Sequence, residues 1–80
     1  MNSHYYLMTK TKMANEDGVN YTAYGIKAVN KNTGGLIEEI VDISNEHNFV
    51  EKLVKMFNEN DLHIEHFKDV VYDFVVDKYT

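Results

Sequence analysis

The stretch LIEEIVDISNEHNFVEKLVKMF, residues 36–57, changes its period at Ser44. Up to Ile43 it reads as a strand. Beyond Ser44, Phe49, Val50, Leu53, Val54 and Phe57 recur at i, i+1, i+4, i+5 and i+8 and line one side of a helix, while Glu51 and Lys55 form an i,i+4 pair outside that stripe. Ser44 or Asn45 is expected to cap this helix, with Glu46 in its first turn, where a carboxylate suits the dipole. Asn58, Asn60 and Asp61 favour a stop, so the predicted helix covers 45–58.

Upstream, residues 4–13 place Tyr5, Leu7, Thr9, Thr11 and Met13 on one side and Tyr6, Met8, Lys10 and Lys12 on the other, and the two lysines mark the second side as wet. Residues 19–30 are rich in β-formers, and Thr22, Tyr24, Ile26 and Ala28 make a charge-free side that should be buried. Asp17-Gly18 is a preferred two-residue hairpin turn. With it, Thr11 opposes Tyr24, Thr9 opposes Ile26 and Leu7 opposes Ala28, so the two buried sides coincide. A four-residue loop, Lys31–Gly34, leads to a third strand at 36–43, where Tyr24 opposes Val41 and Thr22 opposes Ile43. This register sets Glu39 opposite Ile26 on the core side, which means either an inward charge of the kind that discourages further pairing at a sheet edge or a loop one residue longer than four.

Downstream, Ile64, Phe67, Val70, Val71, Phe74 and Val75 share one face of a second helix at 64–77, with His63 as a weak N-cap. The connection between the helices is short, so they should run antiparallel, and the largest apolar surface open to them is one face of the sheet. The expected fold is α+β, a three-stranded antiparallel meander followed by two antiparallel helices packed on one sheet face. Eighty residues hold one domain, 1–80, because a core of this size leaves nothing for a second.

Composition excludes several classes of function. At 44% apolar the chain is too hydrophobic for a disordered tail. It lacks cysteine, which removes disulfides, thiolate zinc sites and cysteine nucleophiles. Net charge is -5 and every positive charge is a lysine, which argues against nucleic acid, whose phosphates need a basic stripe and whose bases are read by the arginine fork. No apolar run approaches the ~18 residues of a membrane span. Met1-Asn2-Ser3-His4 opens no charged-then-apolar leader, so a cytoplasmic location is expected. Abundant Asn, Lys, Ile and Tyr fit an AT-rich genome.

Few residues suggest chemistry. His63 and His66 stand three apart at a helix start, with Asp69 one turn on and His47 elsewhere, which offers a metal its first ligands. A metal site also needs a third ligand and a supporting shell, which the spacing does not supply, so neither a metal nor a cofactor is expected. Asp69, Asp73 and Asp77 form an acidic row that reads as a solvated helix face, because acid–base work needs a cleft that perturbs the carboxylates. Gly34-Gly35 lacks the Lys-Ser/Thr and helix of a phosphate cradle and reads as a turn. No constellation points to an enzyme.

The predicted register leaves Tyr6, Met8, Val19, Tyr21, Val29, Leu36 and Ile40 together on the sheet face away from the helices, ringed by Lys10, Lys12, Lys27, Glu38 and Asp42. An apolar patch with a mixed-charge rim has the make-up of an interface. Its core candidates are Tyr6, Met8, Tyr21, Val29, Leu36 and Ile40. Burying about 400 Å² there, at about 25 cal/mol per Å², gives about 10 kcal/mol gross, against which association costs of similar size must be set.

Thr22-Ala23-Tyr24-Gly25-Ile26, then Ile43-Ser44, then His63-Ile64-Glu65-His66-Phe67-Lys68-Asp69-Val70-Val71 resemble, over about residues 20–79, a family of small uncharacterised proteins of low-GC Gram-positive bacteria. Its members carry a comparable TAYGI strand, an IS before a helix and a closing hxxHLxDVV helix, commonly with Ser-Pro where this chain has His63-Ile64. The resemblance implies a structural place for His66 at the helix start and transfers neither an activity nor a site residue. The expected function is therefore a non-enzymatic interaction module that binds a protein of unknown identity, or a second copy of itself, through the open sheet face. The alternative is a small metal-binding protein using His63 and His66.

Overall fold

Two asparagines set the sheet. Asn15 accepts the backbone N–H groups of Asp17 at 2.9 Å and Val19 at 3.0 Å on its Oδ1, its carbonyl accepts the Gly18 N–H at 3.0 Å, and its own N–H reaches the Val19 carbonyl at 3.1 Å. Gly18 takes a φ of 78°, a left-handed conformation that glycine adopts without steric cost. Asn30 repeats the device, accepting Asn32 and Thr33 N–H groups on Oδ1 and the Gly34 N–H on its carbonyl, with Gly34 at φ 75°. These turns connect β1 (His4–Ala14), β2 (Asn20–Asn30) and β3 (Leu36–Ser44) into an antiparallel sheet of order β1-β2-β3, in the computed structural model, which describes residues 3–80. Met1 and Asn2, half of the segment in which no leader is expected, lie outside the described residues.

The first turn differs from the predicted one. Glu16, Asp17 and Gly18 make a three-residue loop between Asn15 and Val19, closed by the left-handed glycine, because the Asn15 side chain holds the bend one residue earlier than Asp17-Gly18 alone would. Ala14 therefore pairs with Asn20, Met8 with Ile26 and Tyr6 with Ala28, one residue away from the predicted register. A one-residue slip turns a whole strand over. Tyr6 and Met8 face the core with Ile26 and Ala28, while Leu7 moves to the opposite face, where it lies beside Lys27.

On the β3 side Val29 pairs with Leu36, as the four-residue loop predicts, but Ile37 is an extra residue that shifts the pairing of the remaining strand. Ile40 then faces Ile26 on the core side and Glu39 faces Lys27 on the other, so the inward charge falls to Glu38, opposite Ala28, where Lys68 pairs with it at 3.1 Å. A second irregularity lies at Gly25, between the Tyr24–Ser44 and Ile26–Ile40 pairs. There the β3 backbone presses so close that a Cβ on Gly25 would meet the carbonyl oxygens of Ile40 and Val41.

After the sheet come two helices, α1 (His47–Glu59) and α2 (Phe67–Tyr79), the second preceded by a 3₁₀ turn at Ile64–His66. Val50, Leu53 and Phe57 of α1 and Phe67 and Val71 of α2 join Tyr6, Ile26, Ala28 and Ile43 in one core. Phe57 near the end of α1 meets Phe67 at the start of α2 with ring centroids 6.2 Å apart, and Phe49 at the start of α1 meets Tyr79 at the end of α2 at 6.5 Å, so the helices run antiparallel. The expected caps are displaced. Glu46 is the N-cap residue of α1 and makes no side-chain cap bond, while Ser44 Oγ accepts the Glu46 N–H at 3.0 Å just ahead of the helix. His63 likewise makes no side-chain cap bond.

Candidate interaction surfaces

The sheet has a covered and an uncovered face. Rows Tyr6–Ala28–Glu38 and Met8–Ile26–Ile40 look toward the helices, whereas rows Tyr5–Val29–Leu36 and Leu7–Lys27–Glu39 look away, since successive strand residues point to opposite sides. Of the six predicted interface residues, Tyr6, Met8 and Ile40 thus belong to the helix-facing side: Tyr6 is buried in the core, and Met8 and Ile40 pack against it half-buried. Tyr21, Val29 and Leu36 remain on the uncovered side. Val29 is buried on the central strand yet is no part of the helix-covered core, and Leu36 is 60% exposed.

Three residues outside the predicted patch complete this face. Leu7 is 40% exposed, and Ile37 and Val41, beside the two irregularities of β3, are exposed as well. The signal for Leu7 was the asparagine two residues before Asp17-Gly18, which sets the loop length and with it the face of β1. The face is apolar at its ends, with Lys27 and Glu39 side by side across the strands at its middle. Near them Thr9 Oγ1 is buried without a hydrogen-bond partner.

The two edges of the sheet are treated differently. On β1, Asn58 Oδ1 accepts the Tyr6 N–H at 2.8 Å and Asn58 Nδ2 donates to the Tyr6 carbonyl at 2.9 Å, so α1 covers that edge at Tyr6. Inside it the Tyr6 hydroxyl donates to the Leu62 carbonyl at 2.7 Å, and burial, with Glu38 as a lesser cause, pushes this phenol up to about 12. On β3 the edge borders a groove of about 410 Å³ floored by Ile40, Ile43, Val71 and Val75 and walled by Tyr72. Glu39, Asp42 and Lys68 stand at its rim, and Lys68 is engaged by Glu38 at 3.1 Å.

The histidines do not assemble. The His63 and His66 rings lie 6.3 Å apart and nearly perpendicular, and among the described residues no group of three His, Asp or Glu side chains is placed to hold a metal. His47 is spent elsewhere, edge-on to Tyr24 at 5.2 Å and bonded to Asn48. At the far ends of the helices Tyr79 OH is bonded to Ser44 Oγ at 2.6 Å and donates to Glu46 at 3.2 Å, while Lys78 pairs with Glu46 at 3.1 Å. Lys78 and Tyr79 hold the Glu46 carboxyl below the usual range. This cluster ties the end of α2 to the start of α1, and its Glu46 and Lys78 line a pocket of about 470 Å³ with His47, Asn48, Phe49 and Lys52.

The fold and its surfaces define a small α+β meander domain with an uncovered sheet face and an edge strand, β3, that borders an apolar groove. Residues 1–77 match a family of unknown function, DUF6514, and the chain belongs to that family. Comparison with curated proteins and with solved structures finds no match. Among the described residues no helix is long and apolar enough to cross a membrane.

Proposed function

We propose that this chain is a non-enzymatic module that associates with a second copy of itself through the uncovered sheet face. The observation that carries this reading is the row Leu7–Lys27–Glu39, flanked by exposed Leu36, Ile37 and Val41. A row that sets a lysine beside a glutamate is self-complementary under a two-fold axis, which lays Lys27 of one copy against Glu39 of the other, and the apolar residues at either end then cover each other. Light scattering across a concentration series tests it. Mass rising toward twice the monomer with concentration, and held at the monomer by Leu7→Lys and by Val41→Lys, is the expected result. A wild-type chain that stays monomeric up to about 1 mM, or variants that associate as well as wild type, would end the proposal.

A further inference from the structure

The groove between β3 and α2 is a second surface, which shares with the self-association face Glu39, beside Lys27, and Asp42, which accepts the Tyr21 hydroxyl. Its floor of Ile40, Ile43, Val71 and Val75 is apolar, yet one wall is the outer edge of a strand that, among the described residues, pairs with β2 alone. Such an edge presents backbone donors and acceptors at strand spacing, which an added strand satisfies and a docked helix leaves unpaired. The opposite edge of the sheet is blocked at Tyr6 by Asn58, whereas the β3 edge adjoins the apolar groove, which favours β3 as the place where a strand is added. Side chains of an added strand alternate, and every second one would enter the groove between Ile40 and Val75.

Charge selects the occupant. Glu39 and Asp42 are exposed at the rim, where Glu39 lies across the sheet from Lys27 and Asp42 accepts the Tyr21 hydroxyl at 3.4 Å, while Lys68, the cation among the groove's lining residues, is engaged by Glu38, so carboxylates outnumber cations there. A second β3 is disfavoured, because strand against strand would bring Glu38, Glu39 and Asp42 up to the same three carboxylates. We propose that this groove receives an extended segment of a partner protein in which apolar residues alternate with lysine or arginine. The apolar residues fill the groove, the main chain pairs with β3, and the cations meet Glu39 and Asp42.

The test is a titration of the full-length ¹⁵N-labelled chain with the pentapeptide Lys-Ile-Lys-Ile-Lys, and in parallel with Glu-Ile-Glu-Ile-Glu, followed by amide shifts. The basic peptide should give saturable shifts confined to residues 39–43 and 68–75, and the acidic one none. Asp42→Lys should weaken the basic peptide by about tenfold or more, and Leu7→Lys should leave it unchanged, which separates this site from the self-association face. Tyr72→Ala, at a 68% exposed position, serves as a second groove variant should Asp42→Lys fold poorly. No saturable shift up to about 2 mM, equal response to both peptides, shifts centred on Leu7 and Lys27, or indifference to both groove variants would overturn the proposal.

Discussion

Asn58 brackets the backbone of Tyr6, accepting its N–H at 2.8 Å and donating to its carbonyl at 2.9 Å across 52 residues of chain. An amide side chain is suited to this, since it carries a donor and an acceptor side by side, as the next strand of a sheet would. Asn58 therefore takes the place of a neighbour on β1 while sitting near the end of α1. Asn58→Ala leaves two backbone groups to water and should lower unfolding free energy by about 1 kcal/mol, read as a fall in urea midpoint at constant slope. An unchanged midpoint would mean that water replaces both bonds at no cost.

The Tyr6 hydroxyl gives stability a pH dependence. Burial raises its pKa from 10.0 to about 12, so below pH 10 both folded and unfolded chains keep the proton and its full contribution is present. Between pH 10 and 12 the unfolded chain releases the proton while the folded chain holds it, and stability falls by up to about 1.4 kcal/mol per pH unit. Tyr6→Phe removes this slope. At neutral pH the same substitution should cost only about 1 kcal/mol, because His4 Nε2, 2.8 Å from the Leu62 carbonyl, stays within hydrogen-bond reach of the acceptor that Tyr6 gives up. Urea melts of both proteins from pH 8 to pH 11 check it, and parallel pH profiles would refute it.

Element order, the helix faces and the buried side of β2 were legible in the sequence because each rests on a period carried by several residues. Val50, Leu53, Phe57, Phe67 and Val71 sit in the core where the helical stripes placed them. The face of β1 was not legible in the same way. Its two sides are nearly balanced, Tyr6 and Met8 against Tyr5 and Leu7, so the choice fell to the length of a turn, and that length is decided by a side-chain bond of Asn15. On β3 the extra residue at Ile37 has no periodic mark, and only the misfit of Glu39 against Ile26 signalled it. Tyr6, Met8 and Ile40 were assigned to the wrong face for these two reasons, both of them one-residue shifts.

Gly25 marks the point where β3 departs from regular pairing. Its backbone needs no unusual conformation. What it needs is space, since the carbonyl oxygens of Ile40 and Val41 occupy the volume of a Cβ and neither is the flexible end of a side chain. Gly25→Ala should therefore destabilise by about 2–4 kcal/mol, although alanine has the better intrinsic preference in an ordinary setting. Thermal unfolding followed by circular dichroism measures it. A variant that melts with wild type would show that the β3 backbone can withdraw from β2 freely.

The register itself can be tested at two adjacent positions. Leu7 and Met8 are similar in size and hydrophobicity, and nothing in composition says which faces the core. The turn held by Asn15 puts Met8 opposite Ile26 and against the core, and puts Leu7 beside Lys27 on the uncovered face, 40% exposed. Met8→Lys must thread a long chain toward Ile26 and Ile40 or leave a charge among them, and should cost about 2 kcal/mol or more. Leu7→Lys keeps its ammonium in water, meets Lys27 directly opposite, and should lower stability by no more than about 1 kcal/mol. The two-residue turn assigns these costs in the opposite order. Urea unfolding of the two variants under conditions where both are monomeric decides between the registers, and a Leu7→Lys protein less stable than Met8→Lys would overturn the pairing of β1 and with it the composition of the face proposed for self-association.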